Sequence, residues 1–508
     1  MNNSSKYLNL ALATIILLAC LIRVYHIGQP LIEGVSGGQI ERATIARNFY
    51  RTGDLLMPQI DTMPQPHPVY CEFPLYAWTV AMFYFVAGGI HEWIGRSLSI
   101  VFFMCAVLLF YKMVSMILNK KTGVIAVACL CFLPNSIMFS RSFSLDTMNL
   151  FFSIGMLLSF FLWLEKGKSG YFILSLILAI LTYLTRIITI FMIVPMIYLA
   201  YAYWGRRFIL NYRFWVYHII SLLPAAIWYR YAQLKMLDFY GEKYLGISTY
   251  YDLSYYIAPL KYLNYGSLKM LFEYVAGMTL TPVGFTLVLL GVLLRRHYRR
   301  ENVFLAWLVA ATASFFLYAN KIPALNYYLF LIPPAAVYIG KFVLYLWEKE
   351  FQSHSYLKYA LVKMLIFIFM VLMVFGYVNS GYKMPIFVQH LPEAAESVKK
   401  HTNPDNPIIW RGPTALLYYA DRKGWRFECD RKRIERNMRS LGRKNISGVD
   451  SIAYLEMLRT LGASYFVTIY MEEFYREPEL SKYVLSNYEV LDSKKDCYII
   501  VDLRQKHS

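Results

Sequence analysis

The chain reads as a polytopic α-helical membrane protein of about eleven transmembrane helices, closed by an extracytoplasmic α/β domain. Three observations predict this. First, the 508 residues are 58% hydrophobic and only 16% charged, with a mean hydropathy of +0.40. A soluble protein of this size is less apolar. Second, apolar runs of about 20 residues, the length needed to cross the hydrocarbon core, recur along the chain. Third, the short loops between them alternate in basic charge, as cytoplasmic and outer loops do. The net charge of +19 is carried in those loops and forms no long basic stripe, which argues against nucleic-acid binding.

The first run extends from Tyr7 to about Tyr25. It follows Lys6 and has no small-residue cleavage site before Arg23, so it is expected to stay as a span. Further spans are expected to begin near Arg96, Thr122, Leu150, Tyr171, Ile188, Phe214, Val275, Val303, Tyr327 and Ala360. The basic loops contain Lys120 and Lys121; Lys166 and Lys168; Arg206, Arg207 and Arg213; Arg295, Arg296, Arg299 and Arg300; and Lys349. Setting these in the cytoplasm puts the N-terminus inside a plasma (inner) membrane. Residues 27–95, 141–149, 232–274, 320–326 and the tail from about Asn379 then lie outside. The apolar stretch 74–90, PLYAWTVAMFYFVAGGI, would reverse this scheme if it crossed. It is read instead as a helix in the outer interface or tucked against the bundle.

Residues 1–379 form the expected membrane unit and 380–508 an α/β domain. The tail alternates strand-like NPIIWRG, GWRFECD, ASYFVTIY and CYIIVDL with helix-like TALLYYA and SIAYLEMLRTLG. The seven cysteines show no metal-ligand spacing, and the nine histidines are scattered. Cys429 and Cys497 could pair outside the cell.

Charges at the ends of spans are expensive and usually functional. In this topology they gather on the outer side. Glu33, Glu41, Asp61 and Glu72 lie in the first outer loop, Arg141 and Asp146 follow the third span, Arg186 ends the fifth, and Lys321 precedes the tenth. Tyr327, which opens the tenth span, joins the expected substrate-binding set of Glu72, Arg141, Arg186 and Lys321. Cations here suit a leaving phosphate, and a carboxylate suits deprotonation of an acceptor hydroxyl or amine. Bland alternatives stand beside these readings. Lys321 could merely snorkel, Arg141 and Asp146 could be a structural pair, and Asp61 could cap a turn.

The ordered set ERATIARNFYRTGDLLMPQID, EFPLYAW, GRSLSI, RSFSLD, LTRIITIFMIVP, KIPALNYYLFLIPP and LLYYADRKGWRF…LRTLGASYFVTIY resembles a known family. It is similar to the polyprenyl-phosphate-sugar glycosyltransferases of the protein mannosyltransferase and lipid A aminoarabinose transferase type, which have the C-type membrane fold. The resemblance covers nearly the whole chain. It implies a polyprenyl-phosphate-linked sugar donor, a lipid, glycan or protein acceptor, inversion at the anomeric carbon, and usually no essential metal. It also implies a base in the first outer loop and an assisting acid after the third span, where Asp146 in RSFSLD fits. Glu72 resembles an acid before the family's Lys-Pro or Phe-Pro. Arg186 stands where many members have lysine, and Lys321 matches a lysine that meets donor phosphate. The opening stretch departs from the pattern: Gly38 and Gln39 occupy positions where many members carry Asp-Glu. The base is then Glu41, which fits the motif of a second branch, or Glu33, displaced by the Ser36-Gly37-Gly38 loop. A transporter, or a non-catalytic relative that binds polyprenyl lipid, is the rival reading.

Overall fold

The computed structural model describes residues 3–33, 36–70, 72–240, 263–295, 299–317, 322–352, 388–441 and 448–507, with isolated positions between 361 and 385. Helices α1 (Asn3–Val24), α4 (Glu92–Ile117), α5 (Lys120–Phe132), α7 (Asp146–Lys166) and α8 (Ser169–Thr185) build the front of the bundle. The α7 helix is buried on nearly every side, packing against α4 and α8. Such all-round burial explains its uniform apolarity, which no helical periodicity interrupts.

Among the described residues, five helices are long and apolar enough to cross a membrane: Ser5–Val24, Glu92–Ile117, Asp146–Lys166, Ile187–Leu210 and Leu325–Lys349. Two bent pairs raise this to seven if each is one span. One is α5 with α6 (Pro134–Arg141), bent by 65°; the other is Tyr265–Thr279 with Thr281–Leu293, bent by 98°. Pro134 and Pro282 mark the two breaks, where a missing N–H and a clash with the preceding turn interrupt an α-helix. The apolar helices Ser169–Thr185 and Asn302–Leu317 are shorter. Helix Tyr212–Tyr240 carries Pro224 internally and runs on past residue 232, where the sequence predicts an outer loop. The span expected from Ala360 falls largely outside the described residues.

Between α1 and α4 lies a folded loop. It holds α2 (Ser36–Thr52), the two-residue strands β1 (Gln59–Ile60) and β2 (His67–Pro68), and α3 (Leu75–Ala87). At about 1.5 Å per residue, the 13 residues of α3 are too short to cross a core of about 30 Å. The helix buries Tyr76, Ala77, Val80, Ala81 and Tyr84 and exposes Met82, Phe83, Phe85 and Val86.

From Leu391 the chain forms a five-stranded sheet, ordered β4 (Gly424–Arg426), β3 (Ile408–Arg411), β5 (Tyr465–Thr468), β7 (Tyr498–Lys506), β6 (Tyr488–Lys494). The β3–β4 and β3–β5 pairs are parallel, and the others antiparallel. Side chains alternate across the sheet. Ile408, Trp410, Val467 and Ile500 face one apolar cluster, Ile409, Phe466 and Ile499 another. The first cluster is shared with the folded loop: Leu31, Ile40, Phe49 and Tyr76 pack in it alongside Leu391, Leu417 and Trp410. The second cluster lies under helices Arg431–Ser440, Ser451–Thr460 and Pro478–Asn487. Cys429 and Cys497, which the sequence left open as a pair, are both free. They pack with opposite clusters, Cys497 with the first and Cys429 with the second, so the sheet separates them.

Candidate active site

The charges expected to face outward sort into three groups. In the first, Glu33 is buried between two arginines, Oε1 at 2.9 Å from Arg96 Nη2 and Oε2 at 2.7 Å from Arg141 Nη1. Gln29 also donates to Oε2. Arg96 Nη1 donates to the Ile27 carbonyl at 2.9 Å, and Arg141 Nη2 to the Tyr25 and His26 carbonyls at 3.3 and 3.2 Å. Arg141 also lies 4.0 Å from the Tyr382 ring centroid. Glu33, one of the two candidate bases, and Arg141, a candidate substrate-binding residue, are thus paired with each other. They fasten the turn after α1 to α4 and α6. In the sequence Arg96 stands at the start of an apolar run, and a charge in that place signals a buried partner.

The second group is the pair Arg186–Asp146, with 2.8 Å between Nη2 and Oδ1 and both side chains buried. Asp146 opens α7, where the helix dipole favours a carboxylate. Ser144 donates its hydroxyl to Oδ2, and Asn326 Nδ2 donates to Oδ1 at 3.3 Å. Arg186 breaks away from the end of α8 in extended conformation, 4.7 Å from the Tyr327 ring centroid. Its Nε and Nη1 find no acceptor among the described residues. Lys321 lies outside the described residues.

The third group lines a cleft: Glu41, Arg42, Ile45, Pro58, Val69, Glu72, Phe73, Pro74, Tyr76, Ala77 and Leu145. Glu41 comes from the start of α2 and Glu72 from the segment before α3. The Phe73 N–H donates to the Leu184 carbonyl at 3.1 Å, which draws this segment to the end of α8 and sets Glu72 Oε1 4.0 Å from Arg186 Nη2. The cleft therefore adjoins the Arg186–Asp146 pair. Glu41 is exposed to the cleft, and the protein around the cleft desolvates its carboxylate. These low-dielectric surroundings raise its pKa above the ordinary carboxylate value; Arg42 opposes the shift and Glu72 adds to it.

The sequence stretches that wall the cleft are locked together. Gln39 is buried and accepts from the Phe143 N–H at 2.8 Å. It joins α2 to the RSFSLD turn. Tyr76 donates to the Gly95 carbonyl at 2.7 Å, and Ser99 donates to the Ser144 carbonyl at 3.0 Å. Gly95 is needed for close approach: a Cβ there would lie 2.2 Å from the Phe143 ring. Arg42 and Tyr76 line the cleft without having been singled out from the sequence. Their proximity depends on contacts between α2, α3 and α4 that no local pattern reveals. Asp61 is not in the cleft; it is buried against Arg47.

Residues 66–229 match the family described as "Dolichyl-phosphate-mannose-protein mannosyltransferase". The match includes Glu72, Arg141, Asp146 and Arg186 and begins after Glu41. The whole chain superposes on ArnT from Cupriavidus metallidurans in the apo state, with a TM-score of 0.64 at 11% identity, covering 99% of this chain and 98% of that one. The chain shares the fold of ArnT. The same ArnT bound to undecaprenyl phosphate gives a TM-score of 0.64 at 12% identity, covering 96% and 97%. The Archaeoglobus fulgidus oligosaccharyltransferase AglB, in complex with an inhibitory peptide and a dolichol-phosphate, gives 0.56 at 14% identity, covering 99% of this chain and 76% of that one. No curated protein sequence matches the chain.

Proposed function

We propose that this protein is an integral-membrane glycosyltransferase that moves a sugar from a polyprenyl-phosphate donor to an acceptor at the outer membrane face. The observation that carries the reading is the cleft where Glu41 and Glu72 stand beside a buried arginine with unused donors. The family match over residues 66–229 and the fold shared with ArnT and AglB support it.

In this reading Arg186 receives the donor phosphate on Nε and Nη1, and Asp146 keeps its guanidinium in place. Tyr327 braces the guanidinium from one side. Lys321 is a second cation for the same phosphate. Glu41 takes the proton from the acceptor hydroxyl or amine. As the new bond to the anomeric carbon forms, the bond from that carbon to the phosphate oxygen breaks. Polyprenyl phosphate leaves with the electron pair, and the anomeric centre inverts. Glu72 lies between base and cation and orients the sugar. Its negative charge also keeps Glu41 basic. Glu33 and Arg141 act as a structural tie and take no part in the chemistry.

The finer topology is part of the proposal. Eleven crossings put the N-terminus in the cytoplasm of a plasma (inner) membrane, with residues 380–508 as an extracytoplasmic domain over the cleft. The exposed apolar side of α3 rests in the outer interface. The test of function is transfer by the purified chain in liposomes supplied with polyprenyl-phosphate sugars. Appearance of free polyprenyl phosphate together with an inverted glycoside supports it. Its absence with every donor, beside altered lipid transport in the same vesicles, would favour a transporter.

A further inference from the structure

We infer that Asp421, in the C-terminal segment, is a positioning residue for Glu41: it clamps the far end of the helix that carries the base. The inference rests on Glu41 being the base. Helix α2 presents Glu41 to the cleft from its first turns and ends in Arg47, Asn48 and Arg51. Those last turns are gripped from two sides. Arg51 makes a bidentate pair with Asp421, at 2.7 and 2.9 Å. Arg47 is buried, donates to the Tyr418 carbonyl at 2.7 Å, lies 4.5 Å from the Tyr418 ring centroid and reaches Asp421 at 3.3 Å. On the other side Arg47 pairs with Asp61, and Asn48 donates to the Gln59 carbonyl at 3.0 Å. The Asp61 carbonyl in turn accepts from the Gly424 N–H at 3.2 Å. Two arginines and two aspartates balance in charge across the junction.

Asp421 is built into its own segment for this role. It caps helix Ala415–Ala420 in left-handed conformation, with φ of 53°. Asp and Asn tolerate that region best after glycine. Partial burial pushes its carboxyl up, but the Arg51 hydrogen bond and the nearby Arg47 outweigh this and hold it below the ordinary range. An exposed ion pair alone contributes little; this one is bidentate and continues into the buried Arg47.

The lever is long. Ten residues separate Glu41 from Arg51, about 15 Å at the helical rise. A tilt of about 4° about the Arg51 end therefore moves Glu41 by about 1 Å, a displacement that can cost roughly 10²-fold in rate. Donor phosphate, held at Arg186 on other elements, is not on this lever.

The test compares Asp421→Asn, Arg51→Ala and the double variant with Glu41→Gln, using one polyprenyl-phosphate donor over a range of pH. Asn suits the left-handed position and removes only the charge. Rates are taken per folded molecule. The expected result is a kcat lower by about 10- to 100-fold, an unchanged donor KM, and an acidic limb displaced from the wild-type position. The double variant should be no worse than the more damaged single one. If Glu41→Gln is inactive while Asp421→Asn and Arg51→Ala keep both rate and pH profile, the clamp is refuted and the base assignment survives. If Glu41→Gln keeps its rate, the base assignment fails and the clamp falls with it.

Discussion

Glu41→Gln and Glu33→Gln provide the sharpest test, because the two glutamates are eight residues apart and do different things. A general base contributes about 10²–10⁴-fold, equivalent to about 3–5 kcal/mol of transition-state energy. Glutamine keeps the shape of Glu41 and loses its basicity, so turnover should fall by that factor. The fold should hold, because Glu41 faces an open cleft and no ion-pair partner is found for it among the described residues. Glu33→Gln leaves Arg96 and Arg141 buried without their shared anion. Breaking a buried pair in this way costs about 3–5 kcal/mol of stability. The assay needs two readings: transfer from a labelled polyprenyl-phosphate sugar in liposomes, and thermal unfolding in detergent. Glu41→Gln should lose rate without losing melting temperature, and Glu33→Gln should lose melting temperature with much of its rate per folded molecule kept. A fully active Glu41→Gln enzyme would refute the reasoning and return attention to Glu72.

The raised pKa of Glu41 has a defined sign in the rate profile. A base works deprotonated, so wild-type activity should fall as pH drops through a value above the ordinary glutamate range; Glu72→Gln removes a neighbour that raises it and should move that limb to lower pH. An unmoved limb would dissociate the two carboxylates. Asp146→Asn strips Arg186 of its buried partner and should nearly abolish transfer per folded molecule, with a loss of melting temperature of the kind expected for Glu33→Gln; unchanged turnover per folded molecule would take Asp146 out of the site. A thiol reagent that cannot cross membranes should label a cysteine added to the tail and miss one added near Lys120. The opposite pattern would make residues 74–90 a span.

The fold class was legible because burial in a bilayer and in a bundle core asks for the same thing, long apolar runs. The α7 run and the strands at Ile408–Arg411, Tyr465–Thr468 and Tyr498–Lys506 stood out for that reason. The strand Tyr488–Lys494 did not. It is an edge strand, mostly exposed, and YEVLDSK shows no clean alternation. Helix Arg431–Ser440 was hidden by its charges, since only a few residues such as Ile434 and Met438 anchor it. In the site, the alternation of basic loops puts Asp146 and Arg186 at span ends on one expected face, but nothing in the sequence shows that they pair. The choice between Glu33 and Glu41 stayed open because both are acids near the same glycines. The partners that separate them, Arg96 and Arg141, lie 63 and 108 residues from Glu33.

The apolar cluster shared by the folded loop and the C-terminal segment has a consequence for synthesis. Residues such as Ile40 and Phe49 leave the ribosome early, and their packing partners Leu391, Trp410 and Ile500 leave it last. About 290 residues must be translated between the end of the loop and Val388. At about 5–20 residues per second, that is a wait of roughly fifteen seconds to a minute. Through that interval the helices of the bundle enter the membrane while the helix bearing Glu41 lacks half of its support. A nascent chain stopped before Leu391 should leave residues 27–95 open to protease from the outer side. The helix that presents Glu41 is thus fully packed and clamped only once the C-terminal segment has been made.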